Sequence, residues 1–308
     1  MIPRVSVVVA TRDRRPQLAR ALASVDAQTF RDLETVVVDD GSADSTAAWL
    51  REHRPAVRTV VLETPGGAAA ARNRGIAAAR GELIAFLDDD DAWGADYLAA
   101  QVAQLDARPE ATASYAEHVE VDASGRRARP DLGPLLAYRS PLVRLLAECF
   151  VHTLSVVVCR RAAFERFGLF DERLAVVHDL DWFGRLLTGG GELLLLPGAR
   201  VERGVPGGLV SAYRLWEREE RTVHARLFAA GRVARSDQRL VRVSRGLLFA
   251  RIGWARGDLG FGLARLAAAF VRSPIAAARV AALRIARRRG RARRDAAEAW
   301  SVAARSAP

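Results

Sequence analysis

Lysine is absent from this 308-residue chain: all 47 basic side chains are arginine. That absence excludes a Walker A phosphate-binding lysine, a Schiff base to pyridoxal phosphate and a lysine general base. Cysteine is nearly absent too. Cys149 and Cys159 are too few and too isolated for a disulfide scaffold or a structural zinc site, and their apolar settings read as buried thiols of a cytoplasmic protein. No charged region and long apolar stretch come before Val5-Ser6-Val7-Val8-Val9, so no secretory signal is expected. Long hydrophobic runs are also missing. Arg251, Arg256, Arg265, Arg272 and Arg279 interrupt the apolar tail before it reaches the ~18 residues that a membrane span needs. The first strand-like run leads into Thr11-Arg12-Asp13-Arg14-Arg15 instead of Gly-x-Gly-x-x-Gly, which argues against a dinucleotide-binding dehydrogenase.

Half of the residues are hydrophobic, enough for a sizeable core. The net charge of +11 is unevenly spread. Residues 221–308 hold 20 Arg against 4 acidic residues, a balance of +16, and residues 1–220 hold 27 Arg against 32 acidic residues, a balance of −5. A basic tail on an acidic body points to an anionic partner, either membrane headgroups or nucleic acid. The cluster Arg287–Arg294 lacks interleaved aromatics for stacking on bases, which disfavours nucleic acid.

Through the first third, short β-branched runs alternate with helical segments. Strands are expected at Val5–Ala10, Thr35–Val38, Val57–Leu62 and Leu83–Leu87, with helices from about Pro16, after Asp44 and from Ala68. The pattern predicts an α/β fold with a mostly parallel sheet flanked by helices, which binds ligands beyond the carboxyl ends of its strands, where Thr11, Asp39 and Asp88 emerge. Gly66-Gly67 reads as a helix-initiating turn. Residues 126–150, with Pro130, Pro134 and Pro141, read as a loop over the site, and Glu192–Leu196 reads as the last strand before the Gly/Pro-rich stretch Pro197–Gly208. From Val210 the pattern is helical, with Ser273-Pro274 placed to start a new helix. Residues 1–210 are therefore expected to form the α/β domain and 211–308 a basic helical extension.

Asp88-Asp89-Asp90-Asp91 follows the apolar run Leu83–Leu87. Clustered carboxylates at the end of a strand are costly unless a hard cation and its phosphate ligand neutralise them, which suggests a Mg²⁺ or Mn²⁺ diphosphate site.

Five stretches in order then resemble the family 2 glycosyltransferases of GT-A fold, over roughly residues 3–210. They are Val-Ser-Val-Val-Val-Ala-Thr-Arg-Asp-Arg from Val5, Val-Val-Val-Asp-Asp-Gly-Ser from Val36, Ala-Arg-Asn-Arg-Gly from Ala71, Phe-Leu-Asp-Asp-Asp-Asp from Phe86 and His-Asp-Leu-Asp-Trp from His178. The resemblance implies that Asp39 accepts a hydrogen bond from the nucleotide base. A carboxylate favours a ring N–H, which uracil, thymine and guanine offer, so a UDP-sugar is the expected donor. By the same resemblance Thr11 and Asp13 line the base and ribose pocket, and Arg72 faces the nucleotide or its phosphates. Asp90 binds the metal, and Asp88 holds the ribose or a metal-bound water. Asn73 and Gly75 shape the third helix.

The resemblance further makes Asp179 the base that deprotonates the acceptor hydroxyl, and a single displacement of this kind inverts the sugar carbon. His178 stands where most relatives have Glu. His152 and Asp181 are placed on the acceptor side. Many relatives carry an Arg-x-His element after the last strand, but Val201-Glu202-Arg203-Gly204-Val205-Pro206 has no histidine.

The expected activity is an inverting, Mn²⁺- or Mg²⁺-dependent transfer from a nucleotide sugar to a hydroxyl of a glycan or lipid-linked acceptor in cell-envelope polysaccharide synthesis. The expected location is cytoplasmic, peripheral on the inner face of the membrane, with residues 221–308 resting on anionic headgroups. Two alternatives stand beside it. A sugar-nucleotide pyrophosphorylase requires a glycine-rich, basic triphosphate loop that Thr11–Arg15 does not supply. A noncatalytic sugar-nucleotide-binding membrane adaptor would not need Asp179.

Overall fold

A computed structural model describes residues 2–122, 124–125, 127–130, 136–204 and 212–285. These residues fall into two compact units, one within Met1–Pro130 and Cys149–Arg232, the other within Asp131–Glu148 and Val233–Pro308.

The first unit begins with β1 (Val5–Thr11), α1 (Arg15–Asp26), β2 (Leu33–Asp39), α2 (Thr46–His53), β3 (Arg58–Val61), α3 (Gly67–Ala78) and β4 (Leu83–Asp88). Val7, Val9, Val37 and Ile84 are fully buried, and strands covered on both faces read as continuous apolar runs rather than alternating ones. Pro16 lies in the first turn of α1, where its missing N–H costs nothing. Helix α3 crosses the sheet at close range through Gly75. A Cβ there would meet Val8 Cγ1 at 2.3 Å and Val38 Cγ2 at 3.3 Å, so only glycine fits.

Next come β5 (Ala92–Trp93), α4 (Tyr97–Ala107), β6 (Ala113–Val121) and β7 (Arg127–Ala128). Past residue 148 the unit resumes with a 3₁₀ turn (Leu154–Val156), β8 (Val157–Arg160), α6 (Ala162–Phe167), α7 (His178–Thr188) and β9 (Leu193–Gly204). The strand order is β3-β2-β1-β4-β8-β6-β9-β5, with β7 beside β6. The strands β3, β2, β1 and β4 are mutually parallel. Beyond β4 the sheet is mixed: β8 is antiparallel to β4 and β6, while β9 runs parallel to β6. The α/β class follows the sequence reading, and the parallel half is the one read most directly.

Two expectations need correction. Strand β9 does not stop at Leu196 but continues to Gly204, because Pro197 and Gly198 form a bulge between the register pairs Ala116↔Leu196 and Glu117↔Ala199, with Gly198 at φ 92°. Residues 126–150 are not simply a loop, since they contain the helix α5 (Pro141–Glu148) within the second unit.

The expected domain boundary near residue 210 lies among residues 205–211, outside the described residues. The helix that follows, α8 (Tyr213–Ala229), belongs to the first unit. Its Glu219 carboxylate accepts from the backbone N–H groups of Ala175, Val176 and Val177 at 2.9–3.3 Å.

The second unit packs α5 with α9 (Arg235–Ala255), α10 (Leu259–Arg272) and a last helix over 274–285. Ser244 Oγ donates to Ala147 O at 3.0 Å, and Arg284 donates to Ser244 Oγ at 2.9 Å. Val243, Ala269 and Ala277 form a small apolar core. Ser273 caps the last helix, its Oγ accepting from Ala276 N at 3.4 Å. Among the described residues no helix is long and apolar enough to cross a membrane.

Candidate functional site

Register alone brings three of the expected residues to one sheet edge: Thr11 pairs with Asp39, and Ala10 pairs with Asp88. The loops after β1 and β2 are pinned together there. Asp13, at φ 54°, donates its backbone N–H to Ser42 Oγ at 2.9 Å, and its carboxylate accepts from Ala43 N at 2.6 Å. Asp39 is 1% exposed and accepts from Ser42 N at 2.8 Å. Asp40 accepts from Gly66 N at 2.6 Å and Gly67 N at 2.9 Å, placing a carboxylate at the amino terminus of α3, where its charge is favourable.

The four aspartates after β4 face different ways. Asp88 Oδ1 accepts from Arg72 at 2.5 Å, and its backbone N–H donates to Ser155 Oγ at 2.9 Å. Asp89 accepts from Thr11 Oγ1 at 2.7 Å and Arg14 at 3.2 Å. Asp90 shares the Arg14 guanidinium at 3.2 Å, and its backbone carbonyl accepts from Arg20. Asp91 accepts from Gly204 N at 3.0 Å, an approach that needs glycine, because a Cβ at 204 would lie 2.9 Å from Asp90 O. Thr153 Oγ1 lies 2.9 Å from Asp88 and 3.1 Å from Asp91, and its one proton can serve only one carboxylate at a time.

These partners divide the aspartates electrostatically. Burial opposes the Asp88 anion, but the Arg72 guanidinium and the Thr153 hydroxyl outweigh it and hold its pKa below the usual carboxylate range. Burial pushes Asp89 and Asp90 upward, and the Asp88 charge adds to the push on Asp90. Asp91 is pushed up to about 7 by burial and then by Asp88. Desolvated like charges of this kind are stabilised when a hard divalent cation enters, so the donor set fits Mg²⁺ or Mn²⁺.

The opposite wall is the first turn of α7. An aromatic core fixes its place against β4: Trp182 stacks on Phe164 at 4.9 Å, and Phe86 meets Phe170 edge-on at 5.7 Å. Asn73 latches the preceding loop, its amide exchanging hydrogen bonds with the Phe170 backbone at 3.0 Å in both directions. Asp179 is half-buried and accepts from Leu180 N at 2.7 Å. Burial pushes its pKa up to about 6. Burial also lowers His178 to about 3, so the ring is neutral, and its Nε2 accepts from Arg72 at 2.7 Å. Arg72 is thereby clamped between Asp88 and His178.

Arg72, Asp88, Asp90, His152 and Asp179 line one cavity of about 160 Å³. Thr11, Asp13 and Asp39 stand at the adjoining sheet edge instead, Thr11 linked to the cluster through Asp89. Asp181 is not brought into this group. Two residues along a helix is about a 200° turn, so it faces away from Asp179, pairs with Arg185 at 2.9 Å and lines a separate cavity of about 800 Å³. It therefore does not share the cavity that Asp179 lines.

Four neighbours of the cavity escaped the sequence reading: Thr153, Arg203, Glu219 and Arg14. Thr153 in Thr-x-Ser before a strand was readable as a capping residue, and its Oγ1 does accept from Ser155 N at 3.2 Å. Arg203 lines the cavity because β9 runs on past its bulge. Glu219 gave no sequence signal, and Arg14, although it closes the first matched stretch, was given no role there, since each reaches its partners only through the fold.

The family model of Glycosyl transferase family 2 matches residues 6–168. Among curated proteins, the chain is 42% identical over 107 residues to the succinoglycan biosynthesis protein ExoO of Rhizobium meliloti, covering 34% of this chain and 31% of that protein. The chain thus spans about a third of the length of that relative. Among solved structures it resembles Staphylococcus aureus TarS 1–349 in complex with UDP-GlcNAc, with TM-score 0.64 and 21% identity over 91% of this chain and 83% of that one. It also resembles the mannosyltransferase PcManGT of Pyrobaculum calidifontis in complex with GDP-Man and Mn²⁺, with TM-score 0.61 and 22% identity over 93% and 80%. At these identities the structural likeness establishes the fold alone.

Proposed function

The chain belongs to glycosyl transferase family 2, and from that premise we propose that it moves a sugar, with inversion, from a UDP-linked donor to a hydroxyl of a glycan or glycolipid in cell-envelope polysaccharide synthesis. The observation that carries this reading is the convergence of Arg72, Asp88, Asp90 and Asp179 on one cavity. Asp90 and Asp88 would hold a divalent cation, Mn²⁺ or Mg²⁺, and such an ion would supply Lewis-acid charge to offset the negative charge of the departing nucleoside diphosphate. Asp39 accepts from the uracil N–H, and Thr11 and Asp13 contact the base and ribose. Arg72, held rigid by Asp88 and His178, presents its remaining N–H groups toward the phosphates. Asp179 takes the proton from the acceptor hydroxyl as that oxygen attacks the anomeric carbon, a role suited by a pKa near 6. His152 borders the acceptor. The test is release of UDP from a panel of UDP-sugars with Mn²⁺. Full transfer by an Asp179→Asn variant would remove the catalytic assignment.

We further propose that residues 221–308 rest on an anionic membrane surface, with the enzyme peripheral on the cytoplasmic face. Leu259 and Leu263 on α10 are 62% and 59% exposed, and with Phe270 they lie within about 40° of one another around the helix. An apolar stripe on a helix that also carries Arg265 and Arg272 can enter the headgroup layer. Flotation of the full chain with vesicles containing anionic lipid should succeed and weaken with Leu263→Asp. Flotation indifferent to both would defeat this placement.

A further inference from the structure

His118 in β6 is 1% exposed, and neither of its ring nitrogens makes a hydrogen bond among the described residues. A buried imidazole with no partner on either nitrogen leaves both polar atoms unsatisfied, so the position calls for a ligand. Glu120 lies two residues further along the same strand and therefore on the same face. The register of β6 against β9 shifts at Glu117/His118, an irregularity of the kind that re-aims a side chain. His152 comes from the segment between α5 and the 3₁₀ turn, and its ring meets that of His118 edge-on at 5.3 Å. One ligand atom from each of His118, Glu120 and His152 lies within 4.8 Å of the other two.

We propose that His118, Glu120 and His152 form a binding site for a zinc-class transition-metal ion, distinct from the carboxylate site at Asp88 and Asp90. Two imidazole nitrogens and one carboxylate suit Zn²⁺ or Co²⁺, whereas the all-oxygen aspartate cluster suits Mg²⁺ or Mn²⁺, so the two sites differ in the ion they select. Three protein ligands leave a further coordination position for water or a substrate oxygen, and His152 also lines the cavity shared by Asp88 and Asp179. Glu120 faces Arg203 at 3.7 Å across a half-buried surface, a loose pairing that contributes little and that a bound cation displaces. By joining β6 to the segment ahead of Thr153, the ion braces the strand and turn that support Asp88. This site depends on the side chains of three residues and not on the transferase reading.

The full chain, stripped with a chelator and desalted, is titrated with Zn²⁺ against a chromophoric competitor and separately with Co²⁺ followed by visible absorption. Wild type should bind one Zn²⁺ per chain at micromolar or better affinity and give the intense d–d bands of low-coordinate Co²⁺. His118→Leu should weaken Zn²⁺ binding by at least ~10-fold and erase those bands. Glu120→Gln, at a half-exposed position that tolerates the change, should weaken it by a similar factor, and it keeps the test decisive if His118→Leu does not fold. Asp90→Asn should leave the Zn²⁺ isotherm unmoved. Zn²⁺ uptake unchanged in both His118→Leu and Glu120→Gln, or abolished in Asp90→Asn, overturns the proposal. A wild type inactive with every sugar donor that still takes up Zn²⁺ in this pattern supports it, while removing the transferase assignment alone.

Discussion

On the β4 wall of the cavity Asp88 is met by a guanidinium, a hydroxyl and, through its backbone, a serine, whereas on the α7 wall Asp179 is met by the backbone N–H of Leu180. The same side-chain chemistry is therefore driven in opposite directions: the Asp88 pKa falls despite burial, and the Asp179 pKa rises because of it. A group that must remain anionic beside a diphosphate and its cation benefits from the first setting. A group that must pick up a proton near neutral pH benefits from the second. The fold builds the two settings from different materials, a parallel strand edge for one and a helix start for the other.

The largest expected break in this contrast is Asp179→Asn, which should lower kcat by roughly 10²–10⁴-fold while leaving donor binding by calorimetry within about threefold. The pH profile sharpens it: transfer should climb as pH rises through about 6, where Asp179 loses its proton. Stability should move the other way. A carboxyl whose folded pKa is raised stabilises the fold fully below its unfolded value near 4 and loses that contribution as pH rises through about 6. Asp179→Asn should therefore raise chemical-denaturation stability at pH 7 by on the order of 1–3 kcal/mol, with the gain vanishing near pH 4. A variant equally stable at both values would show that burial does not set this group's pKa.

The next effect in size concerns what places the α7 wall. Glu219 holds three backbone N–H groups ahead of α7, so Glu219→Ala should leave buried donors unpaired and cost roughly 2–4 kcal/mol, with kcat falling about tenfold and donor affinity little changed. On the β4 wall the matching test is Gly75→Ala. Its added Cβ would drive α3 off Val8, and an overpacked core of this kind costs typically ~1–3 kcal/mol. Because α3 carries Arg72, donor affinity should fall along with stability, the reverse of the Glu219 pattern, and calorimetry beside thermal melts separates the two.

The two walls also differed in how far the sequence disclosed them. Strands β1 to β4 were readable because a sheet covered on both faces demands unbroken β-branched runs, and the end of such a run locates Asp39 and Asp88 without further knowledge. The α7 wall depends on long-range packing. Whether Asp179 or Asp181 faces the cavity turns on which side of the helix the Phe164–Trp182 stack buries, and no local pattern states that. Strand β9 was cut short at Pro197-Gly198 because those residues usually end a strand, whereas here they are spent as a bulge opposite Ala116 and Glu117. Arg203 was lost with the end of that strand. The histidines of β6 and the 149–153 segment lie some thirty residues apart, and only the antiparallel pairing of β6 with β8 brings them together.

The smallest expected effect is also the most discriminating about the α7 wall. Asp181 lies two residues from the proposed base, yet it pairs with Arg185 at 2.9 Å and approaches Arg226 at 3.8 Å on the far face. If helix geometry, and not nearness in sequence, decides which carboxylate works, Asp181→Asn should change kcat by less than about threefold. Its cost should instead appear in stability, at about 1–3 kcal/mol for one partner removed from a charged, partly buried hydrogen bond. That loss should shrink when Arg185 is also replaced, since the double variant leaves no unpaired charge. A loss of transfer as deep as that of Asp179→Asn would mean that α7 turns its other face to the acceptor, and the division of labour between the two walls would have to be redrawn.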